Sequence, residues 1–245
     1  MGTSALIRNA LQAAVNYGRK KEAAAGKEDA SPPDVDLKLE ALLPIVQGER
    51  PAMFTAHRAD DILTSLRLSG EFKLKPVLAL ATEGYLVRDQ LAKAKVPIIA
   101  HPPMQRIGGL ETYNSFLGNA AALSNAGLPV AICSSVESYV PKTRVIRWEA
   151  AIGMVYGLGH ERALRSITLD AAKILGIDDR FGSLEVGKEA DIVLFDGDPF
   201  ENATHVTHVV SGGRLVFRRS ERRQRLIVLD RRQFSCPESG CCAAF

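Results

Sequence analysis

Hydrophobic residues along the chain alternate between short continuous runs and longer segments with helical spacing. The runs cover residues 52–56, 76–81, 96–100 and 129–134, and the amphipathic segments that follow them cover residues 60–69, 86–94, 112–125 and 143–156. Short runs that are apolar on both faces and are separated by helices are typical of a parallel sheet covered by helices. The pattern therefore predicts four βα units, followed by a further helix over residues 161–175.

Helices are predicted before this region and strands after it. Residues 6–21 carry an apolar stripe at helical spacing, and residues 36–43 form a shorter helix that Pro44 ends or kinks. Residues 192–195 predict a strand, and residues 205–217 predict a β-hairpin. The chain is thus divided into N-terminal helices (1–50), an α/β region (51–180), a β-layer (181–230) and a tail that contains cysteines (231–245).

Composition excludes several classes of protein. The 245 residues are 46% hydrophobic and 24% charged, as in ordinary globular proteins. The net charge of +3 and the solvated basic run at 218–225 do not indicate a nucleic-acid partner. No apolar run approaches the roughly 20 residues that span a bilayer, so no membrane helix is expected.

The cysteines cannot cross-link the predicted fold. Cys133 lies in an apolar run, whereas Cys236, Cys241 and Cys242 crowd the last ten residues. This distribution favours a reduced, cytoplasmic setting. The three tail cysteines lack the paired C-x₂-C spacing that is typical of zinc sites.

Two segments near the end of the chain resemble the amidohydrolase superfamily. They are SITLDAAKILG at 166–176 and GSLEVGKEADIVLFD at 182–196. Upstream, HRADD at 57–61 and TEGY at 82–85 are similar to the regions after strands five and six in the imidazolonepropionase-like branch of that family. The resemblance runs from about residue 37 to residue 217. It implies an α/β fold made of strands five to eight of a TIM-type (β/α)₈ barrel, with a C-terminal β-sandwich remnant.

The resemblance also implies an activity. Members of the family hydrolyse non-peptide C–N bonds of small molecules, often cyclic amides. One or two divalent metals, commonly zinc, polarise the carbonyl group and activate a water. The metal ligands are a His-x-His pair after strand one, a Lys or Glu after strand four, histidines after strands five and six, and an Asp after strand eight. All of them lie at the C-terminal ends of barrel strands.

Most of these positions hold residues that cannot bind a metal in this sequence. His57 occupies the strand-five position and is the inherited metal ligand. The strand-six position holds Leu80, which has no lone pair, and the strand-eight position holds Ser135, which cannot act as a carboxylate base. The sequence contains no His-x-His pair. A single imidazole cannot hold a catalytic metal, which needs about three protein ligands.

Other side chains at the ends of strands could rebuild a site. His101 ends the third strand and is a second candidate metal ligand, while Glu83 and Glu137 are candidate catalytic carboxylates. The alternative is that His101 only ends its strand and that both glutamates are solvated. Three cations could bind an anionic substrate group or could be plain surface charges: Arg58, Lys142 and Arg144. Asp60 and Asp61 are expected to cap the helix that follows His57 and to interact favourably with its dipole.

Half a barrel has two unpaired sheet edges and an open inner face. The chain could form a homodimer, a second chain could complete the barrel, or the N-terminal helices could cover the gap. The sequence could also be a truncated fragment of a longer protein. Two functions are compatible with the residues. One is a divergent or partner-completed amidohydrolase, and the other is a catalytically inactive amidohydrolase-like protein that uses the barrel rim for binding.

Overall fold

The computed structural model of the chain describes residues 2–25, 33–105, 107–134, 136–137 and 140–219. It describes the backbone alone at 136, 137, 140 and 141. Ser135, the side chain of Glu137, and the tail with Cys236, Cys241 and Cys242 therefore lie outside the described residues. What the sequence predicts for them stays a prediction.

Four parallel strands form the central sheet. They are β1 (Ala52–Ala56), β2 (Pro76–Leu80), β3 (Ile98–Ala100) and β4 (Val130–Ile132), and their order in the sheet is their order in the chain. Neighbouring strands pair in register, with Met53 opposite Val77 and Ile99 opposite Ala131. The predicted α/β fold with a parallel sheet is confirmed.

One helix follows each of the first three strands. They are α3 (Ala59–Glu71), α4 (Arg88–Ala94) and α5 (Asn119–Asn125). The prediction that the third helix starts at 112 is wrong, since residues 110–112 form only a single 3₁₀ turn. Two proline and three glycine residues lie between β3 and α5, and they disfavour a longer helix.

The segment after β4 is broken into short pieces. A two-stranded hairpin of β5 (Val136–Glu137) and β6 (Val140–Pro141) was not predicted. It precedes α6 (Ile146–Gly153), α7 (His160–Ser166) and α8 (Leu169–Leu175). The single helix predicted over 161–175 is wrong because the backbone leaves the helical region at Thr168. The Thr168 hydroxyl donates to the carbonyl of Leu164 at 2.8 Å, a local bond that competes with regular helix.

The N-terminal helices pack beside the sheet. They are α1 (Gly2–Ala25) and α2 (Leu37–Val46). Leu11 of α1 forms a buried cluster with Ala52 of β1 and with Leu74. Pro44 does not end α2, which continues two residues beyond it. The helix begins at Asp36, whose carboxylate accepts hydrogen bonds from the backbone of residues 38 and 39.

A second compact unit begins at Glu189. It contains the antiparallel strands β7 (Ile192–Phe195), β8 (Val206–Ser211) and β9 (Arg214–Arg218). The predicted strand and the predicted hairpin are confirmed, and Gly212 and Gly213 form its turn with positive φ angles of 54° and 75°. The described part of this unit holds one sheet, so the sandwich remains a prediction. Among the described residues, no helix is both long and apolar enough to cross a membrane.

Candidate functional site

Three predicted site residues meet at the C-terminal edge of the sheet. His57 follows β1, Glu83 follows β2, and His101 follows β3. Backbone hydrogen bonds hold these strand ends together. The N–H of Glu83 donates to the carbonyl of His57 at 2.8 Å, and the N–H of His101 donates to the carbonyl of Leu80 at 2.6 Å. Ligand sites of parallel barrels form at this edge.

A hydroxyl group fixes the ring of His57. Its Nδ1 lies 2.7 Å from Oγ1 of Thr82, a residue that is only 1% exposed. The opposite ring nitrogen, Nε2, is thereby oriented for another partner. Thr82 belongs to the TEGY motif, but the sequence gives no sign of this role, because only the folded chain brings Thr82 to His57.

The second histidine is buried against the first. The ring centroids of His57 and His101 are 5.6 Å apart in an edge-to-face arrangement. Burial lowers the pKa of His101 to about 4, and the neighbouring His57 adds to the effect. The imidazole of His101 is therefore neutral near pH 7. Its Nε2 atom is buried and makes no hydrogen bond in the described part of the chain.

Glu83 is a structural hydrogen-bond acceptor in this site. One carboxylate oxygen accepts from the backbone N–H of Ala59 at 2.7 Å, and the other accepts from the side-chain amide of Asn114 at 2.8 Å. Glu83 thus caps the N-terminus of α3. Asp60 and Asp61 do not cap this helix, because both residues lie inside its first turn. The expected position of these carboxylates near the positive end of the helix dipole is confirmed.

The backbone between β2 and Glu83 is strained. Leu80 and Ala81 have positive φ angles of 74° and 40°, which are uncommon for residues with a Cβ atom. The side chain of Asn119 holds this turn: its amide donates to the carbonyl of Ala81 at 2.9 Å, and its oxygen accepts from the N–H of Tyr85 at 3.0 Å. Strain of this kind is concentrated at functional sites.

The three candidate substrate-binding cations lie on two segments of the chain. Arg58 forms an exposed ion pair with Asp60 at 3.2 Å. Arg144 is exposed on a 3₁₀ turn, and Lys142 immediately precedes that turn. Their role in substrate binding stays a prediction.

Sequence analysis missed a buried carboxyl group on α6. The side chain of Glu149 is fully buried, and its Oε2 accepts from the backbone N–H of Met104 at 2.7 Å. Oε1 of Glu149 has no hydrogen-bond partner in the described residues. Burial raises the pKa of this carboxyl group, and the Met104 bond and the charge of Lys142 oppose the rise. The only signal in the sequence was a glutamate among apolar helix residues.

The described residues do not complete a metal site. They contain no group of three or more His, Cys, Asp or Glu side chains that could hold a metal ion. His57 and His101 offer two imidazole rings, but both oxygens of Glu83 are engaged and Leu80 offers no donor atom. A structural or catalytic zinc needs about three or four ligands. These residues alone therefore do not support a metal-dependent step.

Comparison with known proteins identifies the family. Residues 119–216 match the model of the amidohydrolase family. An amidohydrolase structure from Thermotoga maritima superposes with a TM-score of 0.83 at 36% sequence identity, over 89% of this chain and 56% of that one. This chain belongs to the amidohydrolase superfamily. The resemblance inferred from the sequence motifs is confirmed.

Curated relatives of this amidohydrolase-family chain are much longer proteins. Amidohydrolase tasK of Hapsidospora irregularis is 29% identical over 81% of this chain, which is 21% of that protein. The imidazolonepropionase of Syntrophobacter fumaroxidans is 40% identical over 32% of this chain, which is 19% of that protein. The chain thus spans about a fifth of these two curated relatives.

Proposed function

We propose that this chain is part of a divalent-metal-dependent amidohydrolase that hydrolyses non-peptide C–N bonds of small molecules. Cyclic amides are the first substrate class to test, because imidazolonepropionases are among the relatives. We further propose that activity requires a complete barrel, since the described residues lack a full ligand set. We place the protein in the cytoplasm on the basis of its cysteine usage.

The observation that carries this proposal is the pair of imidazoles at the sheet edge. His57 is held by Thr82, and its ring contacts that of His101, which is neutral and buried. Neutral imidazole nitrogen is a preferred zinc ligand. Two imidazoles at the ends of adjacent parallel strands support a retained role in ligand binding.

A second candidate function is supported by Leu80. This residue stands where the family has a histidine, and the strained turn around it is firmly held by Asn119. A sheet edge that keeps its geometry but lacks a metal-binding side chain is consistent with a catalytically inactive binding protein. Such a protein would bind the small molecule without cleaving it.

Metal content separates the two candidates. The protein is purified without chelator or affinity tag, analysed for metal, and assayed with cyclic amides. Metal near one equivalent that is lost in His57→Ala supports the hydrolase, with His160→Ala on the exposed start of α7 as the matched control. Absence of metal together with tight binding of an uncleaved cyclic amide would favour the binding protein.

A further inference from the structure

We infer that the site takes cyclic amides with a bulky apolar substituent, and that the loop after β3 binds this substituent. The inference rests on the proposed function, which supplies the cyclic amide as the ligand class. Residues 107–118 of the loop are called the flap below. The described residues between β3 and α5 contain a single 3₁₀ turn, Leu110–Thr112. Long irregular loops of this kind inside a compact domain are usually functional.

The flap lies beside the candidate site because hydrogen bonds join the two. The side-chain amide of Asn114 donates to Oε1 of Glu83 at 2.8 Å, and the N–H of Glu83 donates to the carbonyl of His57 at 2.8 Å. The hydroxyl group of Tyr85 donates to the carbonyl of Asn114 at 3.2 Å. Two residues that follow β2 therefore hold the flap next to the end of the sheet where the two histidines lie.

Large apolar side chains of the flap are exposed on both sides of this anchor in the chain. Leu110 is 84% exposed and Tyr113 is 70% exposed, and Ile107 and Phe116 are exposed as well. Single exposed apolar side chains need no explanation, but clusters of them mark binding surfaces. A ligand at the histidines that carries an apolar group would bring that group to this cluster and remove it from water.

The end of the flap nearest α5 is tightly packed. The rings of Phe116 and Tyr85 lie 5.1 Å apart in a tilted arrangement. A Cβ atom added at Gly118 would lie 2.7 Å from Cζ of Phe116, so the ring packs directly on the glycine backbone. A surface that is already ordered loses less conformational entropy when a ligand binds.

Charge decides between an apolar and an anionic substituent. The flap contains one acidic residue, Glu111, and no basic residue. Arg58, at the other side of the site, forms an ion pair with Asp60 at 3.2 Å. A carboxylate on the substrate would be repelled by Glu111 and would find no cation on the flap. The preceding residue, Arg106, lies outside the described residues, so a carboxylate-bearing ligand is one arm of the test.

The test measures the binding of three hydantoins to the full chain by isothermal titration calorimetry. They are unsubstituted hydantoin, 5-benzylhydantoin and hydantoin-5-propionic acid. We expect the benzyl compound to bind at least about tenfold more tightly than hydantoin, because the phenyl group buries apolar surface on the flap. The propionic acid should bind no more tightly than hydantoin.

Two serine substitutions on the flap locate the binding surface. In the double variant Leu110→Ser/Tyr113→Ser, the advantage of the benzyl compound should fall to about threefold or less, while the affinity for hydantoin stays unchanged. Both side chains are exposed, so the variant should fold normally. Leu37→Ser replaces a leucine of α2 that is 80% exposed and is the matched control, which should keep the full advantage.

Several results would overturn the inference. They are equal affinity for the three hydantoins, tightest binding of the propionic acid, no binding at all, or an unchanged advantage in the double variant. A homodimer that the double variant dissociates, with hydantoin binding unaffected, would assign the flap to self-association instead. An apolar preference without metal or turnover would refute the proposed hydrolase and leave the inference standing. Metal-dependent hydrolysis without this preference would do the opposite.

Discussion

At the scale of single residues, the candidate site depends on hydrogen bonds that no motif shows. Thr82 and Asn119 each hold a group from another segment of the chain, namely the ring of His57 and the carbonyl of Ala81. The sequence did indicate these strand ends, since His57 resembles the strand-five histidine of the family and since His101 and Glu83 follow predicted strands. It could not find their partners, which come from other loops.

Removing the hydroxyl group of Thr82 should destabilise the site. Thr82→Val leaves Nδ1 of His57 without its partner, and we expect unfolding free energy to fall by about 1 kcal/mol. Chemical denaturation measures the loss. Thr82→Ser retains the hydroxyl group, so its free energy of unfolding should fall less. An equal fall in both variants would contradict the hydrogen bond between Thr82 and His57.

Glu149 should make stability depend on pH. Burial raises its pKa in the folded state, so the folded chain binds more protons than the unfolded chain once pH passes the ordinary glutamate value. Stability should then decrease as pH rises through that interval. Glu149→Gln keeps an acceptor for Met104 and should remove this decrease.

The comparison is made by denaturation at acidic and at neutral pH. The free energies of unfolding of the wild type and of Glu149→Gln should differ least at acidic pH. At neutral pH the variant should be the more stable protein. If the difference in the free energy of unfolding does not change with pH, the Glu149 carboxyl group does not titrate between acidic and neutral pH.

At the scale of elements, strands were easier to predict than the limits of helices. The four parallel strands lie where apolar runs predicted them, because a strand buried on both faces needs such a run. The predicted limits of helices were wrong where small features interrupt them, as at Thr168, whose backbone leaves the helical region between α7 and α8. A local side-chain bond decides that break, and hydrophobic periodicity does not register it.

Alanine substitutions at two glycines distinguish the cost of a strained backbone from the cost of a steric clash. Gly182 and Gly187 have φ angles of 94° and 95°, but an added Cβ at Gly182 would lie 2.7 Å from Cβ of Ala172, whereas Gly187 has open space. Gly187→Ala should cost about 1 kcal/mol for the left-handed backbone. Gly182→Ala should cost a further 1–3 kcal/mol or so for overpacking.

Thermal or chemical unfolding of both alanine variants gives this difference directly. The free energy of unfolding should decrease more in Gly182→Ala than in Gly187→Ala. Equal losses would mean that the loop at 182 moves away from α8 without cost.

At the scale of the whole molecule, the sheet face that carries Met53 is covered unevenly, because Val77 and Ala131 on the same face are buried against Ile174 of α8. Met53 is 56% exposed on that face, while Leu78 on the other face is 2% exposed. In the isolated chain, Met53→Ser should change stability by no more than about 0.5 kcal/mol. Leu78→Ala should cost about 2–5 kcal/mol.

Chemical denaturation of the chain and of both variants measures these changes in the free energy of unfolding. A large loss in the isolated chain would indicate that this face is already buried.

The sequence by itself determined the parallel α/β sheet, the β-hairpin near its end, the family and the three strand-end residues His57, Glu83 and His101. The sheet and the hairpin follow from local patterns, since burial on two faces requires apolar runs, whereas the family and the role of His57 came from the resemblance of motifs. Only the tertiary structure decided that Glu83 caps α3, that His101 is buried and neutral, and that Glu149 lies beneath the loop after β3. Each of these depends on contacts between residues far apart in the chain, and such contacts set the hydrogen bonds and the desolvation on which the chemistry depends.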